Sequence, residues 1–306
     1  MKNTARKIAV LCVAACALAA GTAQAASVNP TKITGSVAKG QNATTAKVKI
    51  AAKTAKGAGK TVVKFSLPCD GYIIPLVDGT GTAKINAAIA YPLSGTQSVS
   101  NLKSSSSGNS VNSSHSVGFA AMKSDPGIVK FTVYKDSACR KAAASSLKNV
   151  RAESVATSYE GAYLKKGAYY MQITNTKKTA QTEYVAVGYV PRKSGTESLS
   201  ANKWAVGTAP SDSGFSTYRI KIPSKKTVSL GAFGAKKAEI RNSAGKVVAK
   251  GSGLLGEIYL HGRNASLGIG LGSPNSYRYL TAKLAKGTYT IRVYGCEPHL
   301  VRWTMK

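Results

Sequence analysis

Two ten-residue stretches decide the fold of this chain: residues 284–293 read LAKGTYTIRV, and residues 164–173 read LKKGAYYMQI. Leu, Lys, Gly and Tyr occupy the same four positions in both stretches. After the glycine, apolar residues alternate with others, and this period of two is typical of a half-buried β-strand. Gly167 and Gly287 can adopt the positive φ that a tight turn before such a strand often needs. The repeat predicts two copies of one β module.

A second anchor shared by the two halves is a strand that ends at a proline, turns, and is followed by another strand. Residues 61–67 alternate before Pro68, and residues 218–222 alternate before Pro223. Proline cannot donate to a β-ladder, so each proline ends its strand.

A third anchor is a strand followed by an Asx turn, because Asp and Asn side chains bond the nearby backbone. The two turns are Asp136-Ser137-Ala138 and Asn242-Ser243-Ala244. Each half then closes with one more predicted strand, residues 182–190 in the first half and 300–305 in the second.

Short strands bounded by Gly and Pro turns favour a sandwich or a barrel. We therefore predict an all-β fold of two tandem β-sandwich domains, the first with a long Ser-rich insertion. The predicted bounds are a signal peptide at 1–25, an N-terminal segment at 26–60, a first sandwich at 61–190 with its insertion at 78–125, a linker at 191–202 and a second sandwich at 203–306.

The first residues have the pattern of an export signal. A basic start, the apolar residues 8–21 and the Ala23-Gln24-Ala25 cleavage site predict a mature chain that begins at Ala26. The competing interpretation is a lipid anchor at Cys16, within Val13-Ala14-Ala15-Cys16. No later run is apolar and long enough to span a bilayer. We expect a secreted or cell-surface protein with no transmembrane segment.

The formal net charge is +31, from 43 basic and 12 acidic residues. Three of the basic residues and none of the acidic ones lie in 1–25, so the mature chain keeps a charge of +28. The excess is spread over both halves, and a field of this sign attracts polyanions. Only nine of the mature basic residues are Arg. Because sequence-specific readers of DNA favour bidentate Arg, we expect no sequence-specific nucleic-acid partner.

With these anchors, each half resembles the bacterial pre-peptidase C-terminal domain family. That family's late signature, a Leu and a small turn before Gly-Thr-Tyr and an apolar alternation, is met by residues 284–293, while Ala168 replaces the usual Thr in the other copy. The resemblance covers residues 61–190 and 203–305. It implies jelly-roll-like β-sandwiches that accompany secreted enzymes and bind surfaces or glycans without doing chemistry. No catalytic domain accompanies the modules here, and the acidic residues form no D-x-D-x-D loop, so the calcium that some members bind is not carried over.

The mature chain has three cysteines. Cys69 lies in the proline turn and Cys139 in the Asx turn, and the second half has Ser224 and Gly245 at the matching positions. Export permits a disulfide, and we predict the pair Cys69–Cys139. Cys296 is left over as a free thiol or an intermolecular link. The alternative is that all three are reduced.

No motif for catalysis or metal binding is present, such as H-E-x-x-H, C-x-x-C or G-x-S-x-G. The three histidines, His115, His261 and His299, are interpreted as surface or turn residues. Carboxylates are sparse and never closely paired, which argues against a glycosidase. We predict no catalytic residues, no metal and no cofactor, with an enzyme of unrecognised type as the third alternative.

Lysine doublets recur at predicted turns, and basic residues such as Arg219, Lys221, Lys130 and Arg292 occupy outward strand positions. We predict a secreted, non-enzymatic binding or adhesion protein that attracts anionic cell-surface polymers or acidic glycans. The alternatives are a structural cell-envelope protein without a specific ligand, whose charge only solubilises its surface, and an accessory module of a secreted enzyme system. The oligomeric state is left open. The candidate ligand-binding residues are Lys165, Lys166, Lys177, Lys178, Lys225, Lys226, Lys236 and Lys237.

Overall fold

The computed structural model describes residues 26–35, 41–78, 84–85, 129–151, 161–254, 257–259, 268–270 and 280–306. The predicted signal peptide, the alternative lipid site at Cys16, most of the predicted insertion, His115 and His261 all lie outside these ranges. Within them the chain forms β-strands and a 3-10 turn at Ser145–Leu147, with no α-helix. The predicted all-β class is confirmed. Nowhere in the described part of the chain is there a helix long and apolar enough to cross a bilayer.

The strands alternate with short turns through both halves. In the first half they are β1 (Ala26–Ser27), β2 (Thr31–Lys32), β3 (Gln41–Asn42), β4 (Thr45–Ile50), β5 (Gly59–Leu67), β6 (Gly71–Asp78), β7 (Lys84–Ile85), β8 (Val129–Tyr134), β9 (Val150–Arg151), β10 (Ala162–Leu164), β11 (Gly167–Asn175) and β12 (Gln181–Pro191). In the second half they are β13 (Thr196–Ser198), β14 (Ala205–Gly207), β15 (Phe215–Ile222), β16 (Lys226–Phe233), β17 (Ala235–Arg241), β18 (Val247–Leu254), β19 (Glu257–Tyr259), β20 (Gly268–Gly270), β21 (Leu280–Leu284), β22 (Gly287–Tyr294) and β23 (His299–Met305).

The two halves have the same sheet topology. One sheet has the strand order β1-β5-β11-β8-β9 in the first half and β13-β15-β22-β17-β18 in the second. The facing sheet has the order β10-β6-β12-β2 in the first half and β21-β16-β23-β14 in the second. Strand for strand these orders correspond, as expected from a repeated module. We call the β5 and β15 sheets the outer sheets and the β6 and β16 sheets the inner sheets.

Residues before each predicted sandwich also belong to the sheets. β1 pairs in parallel with β5, and β13 pairs in parallel with β15. β4 adds a strand beside β12. Parts of the predicted N-terminal segment and of the predicted linker therefore contribute strands, while the exact domain bounds stay a prediction.

The repeated stretch forms the same corner in both halves. Its leucines, Leu164 and Leu284, end β10 and β21 and are buried, and its glycines begin β11 and β22. Its tyrosines are buried too, and each hydroxyl donates a hydrogen bond to the backbone carbonyl four residues earlier: Tyr169 to Lys165 at 2.8 Å, and Tyr289 to Ala285 at 3.1 Å. Both residues recur for a structural reason: the leucine fills the core, and the tyrosine stabilises the turn through its hydrogen bond.

The predicted glycine conformation holds in one copy of the corner only. Gly167 has a φ of 152°, whereas Gly287 does not have a positive φ. The turn at Leu284 therefore reaches the same corner with an ordinary backbone, and glycine is not required there for its left-handed conformation.

The predicted Asx turns are present in both halves. The carboxylate of Asp136 accepts a hydrogen bond from the backbone N–H of Lys141 at 2.8 Å, and the amide oxygen of Asn242 accepts one from the backbone N–H of Lys246 at 2.9 Å. The bonds reach four or five residues on, so each side chain closes a wider loop than the two-residue Asx turn that we predicted.

Each half has its own apolar core between its two sheets. The first core includes Val63, Phe65, Met171 and Ile173, and the second includes Ile220, Ile291, Val293 and Trp303. These residues alternate along their strands with more exposed neighbours, which is the period of two that the sequence shows. Burial of one face of each outer sheet leaves its opposite face to solvent.

The central strands of the inner sheets are buried on both faces. Along β6, Ile73 and Val77 belong to the first core, while Ile74 and Leu76 point to the opposite face and are buried as well. Apolar residues on both faces are typical of a strand covered on both sides. Other buried apolar residues also belong to neither core: Ile33, Ala186, Val190, Val206 and Leu300.

Contacts between the halves show what covers these faces. β12 contacts β14, and a Cβ atom added at Gly35 would lie 2.3 Å from the carbonyl oxygen of Trp204. Tyr72 on β6 is buried, and this burial is the main reason that the pKa of its hydroxyl is raised. The charges of Glu297 and Cys296, which belong to the second half, raise it further. The inner sheets therefore face each other, and the molecule has four β-layers with the outer sheets on opposite sides.

The predicted disulfide Cys69–Cys139 is wrong: Cys69, Cys139 and Cys296 are free thiols in this structure. The cysteines follow β5 and β8, and β11 lies between those strands. Two strand spacings separate them by roughly 9–10 Å, whereas the Cα atoms of a disulfide lie within about 7 Å of each other. Cys69 instead packs against the first core, so its position in a turn reflects packing.

His299 is also not the surface residue that we predicted. It begins β23 and is 0% exposed. Its Nε2 lies 3.1 Å from the hydroxyl of the buried Tyr218. Gly207 leaves the space for this pair, since a Cβ there would lie 2.3 Å from the Tyr218 hydroxyl oxygen. Burial lowers the pKa of His299 to about 3.

Adjacent tyrosines in the first corner provide a matched test of the repeat. Tyr169→Phe removes the bond to the Lys165 carbonyl, and we expect it to lower the free energy of unfolding by about 1 kcal/mol. Tyr170 points outward and is half-buried, so Tyr170→Phe should change it by less than about 0.5 kcal/mol. Urea denaturation measures both, and equal losses for the two variants would contradict the role of the corner.

The buried histidine predicts a loss of stability in mild acid. Because its folded pKa is below the ordinary value of 6.5, the neutral ring stabilises the fold fully above pH 6.5, and this contribution falls as the pH drops toward 3. Between pH 7 and pH 5 we expect a loss of about 2 kcal/mol.

The control is His299→Gln, which cannot titrate. Its free energy of unfolding should start lower at pH 7 but fall less between pH 7 and pH 5, as measured by urea denaturation at each pH. A parallel fall in the two proteins would show that other groups carry the acid sensitivity.

Candidate functional site

The solvent-facing side of the second outer sheet carries most of its charge. On β15 the core residues Tyr218, Ile220 and Ile222 alternate with outward residues, and β22 and β17 do the same. We call these outward side chains the second outer face: Phe215, Thr217, Arg219 and Lys221 of β15, Thr288, Thr290, Arg292 and Tyr294 of β22, and Lys237, Glu239 and Arg241 of β17. Arg219, Lys221 and Arg292 are thus outward, as predicted.

The strand register places cations and aromatic rings in contact on this face. Phe215 pairs with Tyr294, and their ring centroids are 5.3 Å apart. The guanidinium of Arg292 lies 4.4 Å from the Phe215 centroid, and the ammonium of Lys237 lies 4.8 Å from that of Tyr294. At these distances the ring faces attract the cations. Phe215 is still 38% exposed, so the cluster offers an apolar surface beside fixed positive charge.

Glu239 is the one carboxylate among the described residues of this face. It is buried, 2.5 Å from the Lys237 ammonium and 2.7 Å from the Arg241 guanidinium, and the Tyr294 hydroxyl donates to it at 3.0 Å. Burial by itself raises its pKa, but hydrogen bonds from these three neighbours outweigh it and hold the pKa at about 2. Glu239 therefore stays ionised and holds the side chains of Lys237, Arg241 and Tyr294 in place. The two cations compensate much of its negative charge.

The other end of the face is open and basic. Arg219 and Lys221 are exposed, and no ion pair in the described part of the chain involves either of them. Beside them is a cleft of about 350 Å³ whose lining includes Leu199, Trp303 and Met305. The indole N–H of Trp303 donates to the Leu199 carbonyl at 2.9 Å, which fixes the floor. Two cations, several hydroxyl groups and an apolar floor line the cleft. It can therefore hold an anionic group with an attached apolar portion.

Lysines surround the neighbouring turns of the second half. Lys226 pairs with Leu284 and Thr227 with Lys283, and Thr227 also exchanges two backbone hydrogen bonds with Lys306. The described ion pairs involve none of the lysines at this end of the sandwich. We call them the lysine end: Lys225, Lys226, Lys283, Lys286 and Lys306.

The first outer sheet presents a similar surface. Lys64 pairs with Tyr170, which pairs with Tyr134, and Lys60 and Lys130 lie on either side of Thr174. Lys60 and Lys64 are exposed and Lys130 is half-buried. We call these residues the first outer face, and its described strand positions include no carboxylate.

The predicted lysine doublets do not converge. Lys165 and Lys166 lie at one end of the first sandwich, where both bond Asp70, and Lys177 and Lys178 lie at its other end. Hydrogen bonds from the Lys166 backbone and the Lys165 side chain lower the pKa of Asp70. Asp70 therefore partly neutralises the positive charge of this lysine doublet.

In the second half the doublets are separated as well. Lys225 and Lys226 belong to the lysine end, whereas Lys236 and Lys237 lie within β17 and not at a turn as we predicted. Lys236 forms an ion pair with Asp212, and only Lys237 joins the second outer face. A ligand-binding role for the eight lysines stays a prediction.

Among the residues that the structure describes, few groups suited to catalysis or metal binding come together. In the described ranges no three His, Cys, Asp or Glu side chains are grouped so that they could hold a metal ion. Burial and a hydrogen bond to Asp212 raise the pKa of the Cys296 thiol to about 11, so it is a poor nucleophile at neutral pH. The arrangement is suited to binding through charge and ring faces.

Sequence reasoning missed the cation–aromatic cluster of Phe215, Arg292, Tyr294 and Lys237. The residues come from three strands, and the alternation alone shows that each points outward. The missing information was the register, which decides that Phe215 lies opposite Tyr294 and that Tyr294 lies opposite Lys237.

Comparison with known proteins adds little to this geometry. No protein family and no curated protein sequence matches the chain. Among solved structures, the chain is similar to the CUB1-EGF-CUB2 domain of human MASP-1/3 at 7% identity, with 86% of this chain and 99% of that chain covered and a TM-score of 0.20. A TM-score this low carries no argument about fold or function. The resemblance to the pre-peptidase C-terminal domain family therefore stays a prediction.

Proposed function

We propose that this is an exported, non-enzymatic binding or adhesion protein that holds anionic surface polymers or acidic glycans on its basic sheet faces. The observation that carries the proposal is the second outer face, where exposed Arg219 and Lys221 adjoin a cleft and a cation–aromatic cluster. The export pattern of residues 1–25 and the net charge of +31 support it.

Charge placement favours binding over a purely solubilising role. A solubilising surface works best when both signs are interspersed, whereas the lysine end and the first outer face have cations without described carboxylates. A polymer with regularly spaced phosphates or carboxylates can contact several such cations at once. Each contact releases counterions from the polymer, so affinity should fall steeply with salt.

A ligand with sugar rings gains a second contact from the aromatic cluster. Phe215 and Tyr294 offer ring faces next to Arg292 and Lys237, and amphipathic rings of this kind present an apolar body beside polar groups. Acidic glycans combine both features, which makes them the favoured ligand class.

The test is binding of residues 26–306 to polyphosphate, polygalacturonate and neutral dextran, each over a salt series. We expect the anionic polymers to bind, with log affinity falling linearly with log salt concentration, and dextran not to bind. Absence of binding to both anionic polymers at low salt would contradict the proposal and favour the structural envelope alternative.

Paired variants locate the site. Arg219→Gln with Lys221→Gln should weaken binding about tenfold, because two exposed ionic contacts of about 0.2–1 kcal/mol each are lost. The salt slope should fall by about two, one for each lost contact. The control, Lys203→Gln with Lys246→Gln, removes the same charge from exposed residues in turns and should weaken binding less than twofold. Equal effects would show that net charge alone is responsible.

A further inference from the structure

The four-layer arrangement gives the two basic faces opposite directions. Each inner sheet has one face on its own core and the other face against the other half of the molecule, as Ile74 and Leu300 illustrate by their complete burial outside either core. The Gly35–Trp204 contact joins the halves. The first and second outer faces are therefore on the two far sides of the molecule.

We propose that the protein is a bivalent bridge, with one outer face bound to one anionic polymer and the opposite outer face bound to another. This inference rests on the proposed function and adds a geometric requirement to it. A single basic patch would coat a polymer, whereas two faces that point apart can join two polymer strands.

The distance between the faces favours simultaneous occupation. Packed sheets are spaced by about 10 Å, so three spacings in four layers separate the outer faces by roughly 30 Å. The Debye length at physiological ionic strength is about 8 Å. Two bound polyanions on opposite faces are thus several screening lengths apart and hardly repel each other.

The first outer face has the chemistry that its half of the bridge requires. Lys64 pairs with Tyr170 and then Tyr134, and Lys60 and Lys130 flank Thr174 across the same sheet. None of these three lysines forms a described ion pair. Because cations and half-buried rings recur on both outer sheets, the same class of polymer should fit each face.

The experiment separates binding from bridging. Polyphosphate is attached to a sensor surface, residues 26–306 are bound and rinsed, and fluorescent polyphosphate is then added in solution. We expect capture of the second polymer by the wild type, with a capture signal that rises and then falls as free protein is supplied in excess, because excess protein occupies each polymer separately.

Two face variants test the geometry. The first carries Lys60→Gln, Lys64→Gln and Lys130→Gln, and the second carries Arg219→Gln and Lys221→Gln. Each should still bind the sensor, within about tenfold of the wild-type affinity, but capture less than about one fifth of the second polymer. The control Lys53→Gln, Lys56→Gln and Lys246→Gln changes exposed residues in loops and should bridge like the wild type.

Each outcome decides one of the two proposals. Binding without capture by the wild type, or full capture by either face variant, overturns the bridge and leaves the binding proposal intact. Failure of the wild type to bind both immobilised polyphosphate and immobilised polygalacturonate at low salt overturns both. Circular dichroism and light scattering on every variant confirm a folded monomer, since a dimer could bridge with one face, and bridging that requires a dimer also overturns the inference.

Discussion

Burial of the inner sheets on both faces is the constraint on which the rest of the structure depends. Strands β6 and β12 carry apolar residues on each side, and so cannot present charge to solvent in their centres. The described basic residues therefore lie on the outer sheets, in turns, at the sandwich ends and on edge strands of the inner sheets, such as Lys47 and Lys49 of β4. The surfaces that can meet a polyanion are the ones that the layers leave exposed.

Within each sandwich, a hydrogen-bonded tyrosine corner holds the inner sheet to the outer one. The leucine before the turn enters the core, and the tyrosine after it returns its hydroxyl to the backbone of the same turn. Both copies use this arrangement, although only Gly167 needs a left-handed backbone. The two halves share the positions of their core residues and their corners, whereas their outer faces differ in how aromatic rings and carboxylates are arranged.

Local patterns in the sequence were sufficient to predict several of the long strands. Alternation identified β5, β11, β15 and β22, proline marked the ends of β5 and β15, and Asx turns marked the ends of β8 and β17. Local patterns could not predict which residues from distant parts of the chain contact each other. Cys69 and Cys139 occupy related turns, yet the intervening β11 keeps them apart. His299 sits at a strand end and reads as a surface residue, but the packing of β23 against Tyr218 buries it. The candidate site likewise depends on register, which brings Phe215, Tyr294 and Lys237 together from three strands.

The position of the last strand in each half has a consequence for the order of folding. β12 lies between β6 and β2, and β23 lies between β14 and β16, so each inner sheet receives its central strand after the others have been synthesised. Neither core can close before that strand arrives, and its partners lie far away along the chain. Such non-local pairing slows folding. We therefore expect a chain of this topology to fold late. A truncation that removed β23 would take the strand between β14 and β16 out of the second inner sheet.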